Sequence, residues 1–107
     1  MDTIASERAK PIKAGQSGDI AEFAYLLAIA KKDVINSVGC GGHSLLHMLI
    51  CSPFSNWVCV KLLIKHQLFD LIDHRDCTHS TALDLAREFD KFGAIRALEE
   101  WEAERAS

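Results

Sequence analysis

The chain has 107 residues, 49% of them hydrophobic and 25% charged, with a formal net charge of −3. That length fits one domain burying roughly 60–70% of the surface its unfolded form exposes, and the mildly acidic balance excludes nucleic acid as the expected partner. The amino terminus lacks a signal peptide's apolar core, and the longest apolar run, Phe23 to Ala30, is too short to span a bilayer. No membrane association is therefore expected.

Helical spacing opens over residues 4–16, where Pro11 predicts a start or a bend because it lacks an N–H and its ring crowds the preceding turn. Ser17-Gly18-Asp19 interrupts it, and Phe23, Leu26, Leu27 and Ala30 form one stripe of a second helix over 20–31. A loop over 33–43 leads to helices over 45–52 and 56–66, divided by the turn formers Ser52-Pro53-Phe54-Ser55-Asn56. Val60, Leu63 and Ile64 mark the apolar stripe of the later helix. A second loop over 68–80 precedes helices over 82–89 and 92–104, parted at Asp90-Lys91-Phe92-Gly93. The last of these carries Ala94, Ile95, Leu98 and Trp101 on one side. The expectation is an all-α fold of three helix pairs.

The chain also repeats itself. Ile35-Asn36-Ser37-Val38-Gly39-Cys40-Gly41-Gly42-His43-Ser44-Leu45-Leu46-His47 aligns without a gap on Ile72-Asp73-His74-Arg75-Asp76-Cys77-Thr78-His79-Ser80-Thr81-Ala82-Leu83-Asp84, an offset of 37 residues from Ile35 to Ile72. Such periodicity is the mark of stacked repeats. Ser44 and Thr81 stand where a helix must start, and a hydroxyl there accepts a bond from a backbone N–H that the helix leaves unpaired. Three residues on, Asp84 can reach back to the cap residue's own N–H as a capping box, and His47 occupies the same place in the earlier phrase.

These phrases resemble the ankyrin repeat, a turn plus two antiparallel helices with the phrase Thr-Pro-Leu-His-x-Ala. Gly42-His43-Ser44-Leu45-Leu46-His47 has Ser for Thr and Leu for Pro; Thr81-Ala82-Leu83-Asp84-Leu85-Ala86 has Ala for Pro and Asp for His. Ala14-Gly15-Gln16-Ser17-Gly18-Asp19-Ile20 resembles the opening unit, while Asp33-Val34-Ile35-Asn36 and Asp70-Leu71-Ile72-Asp73 resemble links between units. The resemblance runs from about Pro11 to Glu100. It implies a solenoid of three units, approximately 8–38, 39–75 and 76–107, joined by β-hairpin-like loops. It further implies that His47 ties neighbouring turns together, and that the function is protein–protein interaction as an adaptor, inhibitor or microbial effector. The expected location is the cytoplasm, the nucleus, or a host cytosol.

Other chemistries compete for the same residues. Cys40, His43, His47 and Cys51 are of the types zinc prefers, so a small metal-binding or redox-sensing module is the rival reading. Its spacing lacks the tight cysteine pairs of structural sites, and the matched positions in the next unit are Cys77, Ser80, Asp84 and Glu88. Cys77 near His74 or His79 supplies a nucleophile and a base but no evident oxyanion site, so no enzyme is expected. Gly39-Cys40-Gly41-Gly42 lacks the lysine of a phosphate-binding loop and reads as a turn. In a reducing compartment the four cysteines read as free thiols, with Cys51 and Cys59 acting as small hydrophobes, and no cofactor is implied.

Stacked helix pairs present their loops and inner helices along one side, and such surfaces bind proteins. The residues expected to carry partner binding are Val38, His43, His74, Arg75, His79 and Ser80, with Met48 and Arg87 beside them. Trp57 and Phe54 either plug the gap in the stretched second unit or stand out as anchors. Trp101 is expected to seal the end of the stack behind the acidic face of Glu99, Glu100, Glu102 and Glu104. That acidity at a helix carboxyl end predicts fraying of the last turn. Self-association through an exposed end is the remaining expectation.

Overall fold

The structure is a computed structural model that describes residues 3–52 and 57–106, with side chains described for 7–39, 41–52 and 57–104. Pro53 to Asn56, hence Phe54, lie outside the described residues, as does the side chain of Cys40.

Among the described residues seven α-helices follow in order: α1 Thr3–Gln16, α2 Ile20–Ile29, α3 Lys32–Ile35, α4 Leu45–Cys51, α5 Trp57–Ile64, α6 Ala82–Glu88 and α7 Phe92–Ala106. A 3₁₀ turn spans Cys40–Gly42. The fold of the described residues is all-α. Six of the helices pair as α1 with α2, α4 with α5 and α6 with α7; α1, α4 and α6 also pack side by side, as do α2, α5 and α7. The result is two rows of three helices. The fully buried Phe23, Ile35, Leu45, Leu46, Leu49, Ile50, Val60, Leu63 and Leu98 lie between and within them, and each large aliphatic or aromatic side chain so buried contributes about 1.5–3 kcal/mol.

The middle inner helix shows why the order is fixed. In α4, Leu45, Leu46, His47, Leu49 and Ile50 are all buried, as befits a helix covered by α1 on one flank and α6 on the other. In α6 only Ala82, Leu85 and Ala86 are buried, because one flank has no neighbour among the described residues. Close approach of α1 to α4 requires Gly15, since an added Cβ there would collide with Leu49.

Five expectations are corrected. Helix α1 does not start at Pro11: it runs through this residue, which is buried, leaving the carbonyl four residues earlier without its helical partner. Helix α2 ends at Ile29, with Ala30 extended as its cap. The expected loop over 33–43 begins with the short helix α3, which buries Val34 and Ile35 against α1. No strand occurs among the described residues, so the β-hairpin-like loops are turns without a ladder. Helix α7 runs to Ala106, two residues past its expected end.

Candidate functional site

The two loops that carry most of the expected binding residues are built alike. In the first, the N–H of Ser37 donates to Val34, Gly42 to Gly39, and Gly39 to His43; in the second, His74 donates to Leu71, His79 to Asp76, and Asp76 to Ser80. Each bond has its counterpart 37 positions later. The last residue of each tight turn is left-handed, Gly42 with φ 76° and His79 with φ 64°. Glycine takes that backbone readily, whereas a side chain there is strained.

The loops are then fastened to one another. The amide of Cys77 donates to the carbonyl of Gly41 at 2.8 Å, and His74 Nε2 donates to the carbonyl of Gly42 at 2.9 Å. Gly42 sits so close to the next loop that an added Cβ would lie 3.1 Å from the amide nitrogen of Cys77. On the other flank, Arg8 of α1 reaches the first loop, donating to Ser37 Oγ at 2.8 Å and to the carbonyl of His43 at 3.2 Å. Lower down, Asn36 donates to the carbonyl of Leu68 and accepts from the amide of Asp70.

Both repeated phrases form capping boxes, Ser44 with His47 on α4 and Thr81 with Asp84 on α6. His47 is fully buried. Its Nδ1 accepts from the hydroxyl of Ser44 at 2.8 Å and faces that residue's amide, which leaves Nε2 protonated to donate to the carbonyl of Ser80 at 3.0 Å. Burial pushes its pKa below the ordinary imidazole value, opposed by the Ser80 carbonyl and the Asp76 carboxylate. The ring is therefore a neutral bridge from the start of α4 to the loop before α6.

Asp76 is the residue that the sequence reading passed over. Its side chain is only 2% exposed, and Oδ1 accepts from the amide and hydroxyl of Thr78 and from the amide of Ser80. Oδ2 lies 3.3 Å from His43 Nε2. The Thr78 hydroxyl, aided by the two amides and by His47, holds the carboxyl well below the usual carboxylate range despite burial. An Asp followed two places on by a hydroxyl is the signal that could have found this turn.

The expected binding residues divide accordingly. Val38, Arg75, His79 and Arg87 are exposed, while His43, Met48, His74 and Ser80 are half-buried. His43, His74 and Ser80 are spent on bonds between loops, and Arg75 donates to the carbonyl of His79 at 2.8 Å and pairs loosely with Asp84. The open surface is thus Val38, Arg75, His79 and Arg87, with Met48 below. Trp57 is 52% exposed and lies along Gly93, with the Lys61 ammonium 5.8 Å from its ring. It plugs no gap. Trp101 is half-buried against the core.

For the rival metal reading, both ring nitrogens of His47 are already engaged by Ser44 and Ser80. Among the described residues no group of three or more His, Cys, Asp or Glu side chains is placed to hold a metal ion. Cys51, Cys59 and Cys77 form no disulfide among the described residues, Cys51 and Cys77 being exposed and Cys59 buried. No helix among the described residues is long and apolar enough to cross a membrane. Comparison with protein-family models, curated proteins and solved structures returns no match to the chain.

Proposed function

We propose that the chain is a small ankyrin-like solenoid whose work is to bind a partner protein, as an adaptor, inhibitor or effector, through its loop tips and inner helices. The observation that carries this reading is the bond-for-bond equivalence of the loops over 34–43 and 71–80. Two turns of one design, cross-braced by Gly41–Cys77, Gly42–His74 and His47–Ser80, hold their exposed side chains on a rigid base, and rigid presentation reduces the ordering cost of binding. The partner face comprises Val38, Arg75, His79 and Arg87, with Met48 at its floor. No catalytic role is assigned to Cys77, and no cofactor to the histidines.

The test is chemical crosslinking and capture from cell extract with the native chain and with the double variant Val38→Glu, Arg75→Glu. Both side chains are exposed, so the far-ultraviolet dichroism should not change, and the melting curve should move only by the loss of the exposed bond from Arg75 to His79 and its loose pairing with Asp84. A specific captured protein that disappears with the variant supports the reading. Capture that survives the double change overturns this placement of the surface.

A further inference from the structure

We infer that the two ends of the helix stack are complementary and that the chain binds a second copy of itself head to tail, the Phe92 stripe of α7 in one molecule seating in the groove between α1, α2 and α3 of the next. This surface is separate from the loop tips, and its success or failure is independent of the partner reading above.

The first end carries a receptacle. Pro11 of α1, Leu26 and Ile29 of α2, Ala30, and Val34 of α3 line a groove of about 200 Å³, together with Glu7, Lys10 and Lys31. None of α4 to α7 contributes to its walls. Ile29 is 61% exposed and Tyr25, one turn earlier on the same helix, 59% exposed. Apolar space of that size accommodates a phenyl ring, and the groove is walled by the first helix pair and its link, where a stacked repeat would meet a preceding neighbour.

Helix α7, the last of its row, carries the matching projection. Phe92 is 75% exposed, the most exposed large hydrophobic side chain among the described residues. With Ile95 and Ala103 it forms a shallow apolar stripe that also takes in Arg96, Glu99 and Glu100; these positions repeat at helical spacing along α7. Arg96 and Glu100 neutralise one another as an i, i+4 pair, so Glu99 is the uncompensated charge of that stripe.

Charge agrees with shape. The charged lining of the groove is Lys10 and Lys31 against Glu7, whereas α7 carries four glutamates against two arginines. Positive and negative ends of one molecule repel copies arranged like to like and attract copies arranged in series. A contact between two different patches of one chain is heterologous, so it propagates into a ring if the rotation closes and into a filament if it does not. Stacking would also cover apolar surface that a solenoid end leaves open, and terminal repeats with polar outer faces are the usual remedy for that exposure. Phe92, Tyr25 and Ile29 are the opposite of that remedy.

The experiment is sedimentation velocity on the full chain over a concentration series, with Phe92→Glu and Ile29→Glu as end-specific variants. The native chain should rise above its monomer mass of 11.9 kDa with concentration, and less so in high salt. Each variant alone should remain monomeric, because each lacks one end. An equimolar mixture of the two should give a species of two chains and nothing longer, since only one productive contact remains. Both residues are exposed, and dichroism verifies that each variant is folded; should either be unfolded, Phe92→Ala and Ile29→Ala take their places in the same mixing test. A native chain that stays monomeric throughout, or a mixture that does not recover pairing, overturns the inference. Association retained by Ile29→Glu alone would show like-to-like pairing through Phe92 and overturn it equally. Arg75→Glu, which alters the loop tips, should leave the self-association unchanged.

Discussion

His47 Nε2 stands 3.0 Å from the carbonyl oxygen of Ser80, and this contact makes the start of one inner helix depend on the loop that precedes the next. Because Nδ1 of the same ring receives the Ser44 hydroxyl, a single imidazole serves both a local cap and a bond between units. Replacing it should therefore damage more than a cap. His47→Ala removes a fully buried ring and leaves the Ser44 amide without its side-chain acceptor, with an expected loss of about 2–4 kcal/mol. Urea denaturation near pH 7.5 measures it. A loss comparable to an ordinary cap deletion, about 1 kcal/mol, would show that the bond to Ser80 contributes little.

The same ring predicts how stability follows pH. Burial lowers the folded pKa of His47, reinforced by His43 and His74 and opposed by Ser80 and Asp76. As pH falls through about 6.5 the unfolded chain takes up the proton first, so stability drops from there until the folded ring also charges, and it is flat above. Asp76, whose folded pKa lies below the carboxylate range, adds a second loss that begins near pH 4, where the unfolded carboxyl protonates first. Urea midpoints between about pH 7.5 and 3.5 should show two descending steps. His47→Gln should flatten the upper step and Asp76→Asn the lower; a His47→Gln variant that keeps the whole upper step would assign it to another group.

Much of this arrangement was legible from the chain, and what was not has identifiable causes. The helix pairs follow from apolar spacing, and the helix starts from the Ser44 and Thr81 phrases, because both are local signals. Helix α3 was read as a link because four residues, Lys32–Ile35, are too few for periodicity to register; its helical form depends on Val34 and Ile35 finding α1. The pairing of His43 with Asp76 joins residues from two loops and has no local trace. Trp57 sits one turn before Val60 and shares its stripe, yet only packing decides that Val60 is buried while Trp57 is half exposed. The repeat offset placed Gly42 opposite His79 without revealing that both positions are left-handed.

That left-handed pair supports opposite predictions for equivalent sites. His79 at φ 64° holds a backbone that disfavours a side chain by about 1–2 kcal/mol, and its ring is exposed. His79→Gly should accordingly raise stability, by about 0.5–1 kcal/mol after glycine's greater freedom in the unfolded chain is counted. Gly42→Ala should do the reverse, since the new methyl meets both the φ of 76° and the backbone of Asp76 and Cys77. Thermal melts of the two single variants give the comparison. If both shift in the same direction, the turns are not equivalent in energy despite their equivalent bonds.

Gly15 offers the sharpest contest between local propensity and packing. It lies in the last turns of α1, where replacing glycine by alanine should favour the helix by about 0.8–1 kcal/mol. Its missing side chain is nevertheless what lets α1 approach α4: the added methyl would collide with Leu49 and lie 3.2 Å from Phe23 Cε1. Leu49 is 1% exposed and Phe23 0% exposed, so neither can move aside without disturbing the core. Overpacking of that kind costs about 1–3 kcal/mol, which outweighs the propensity gain. Gly15→Ala should destabilise the fold, and the double variant Gly15→Ala, Leu49→Ala should recover part of the loss because the second change makes room for the first. Urea midpoints for the two singles and the double close the cycle. Additive losses would show that Gly15 and Leu49 do not contend for the same space, and a Gly15→Ala variant more stable than the native chain would show that helix propensity rather than packing governs this position.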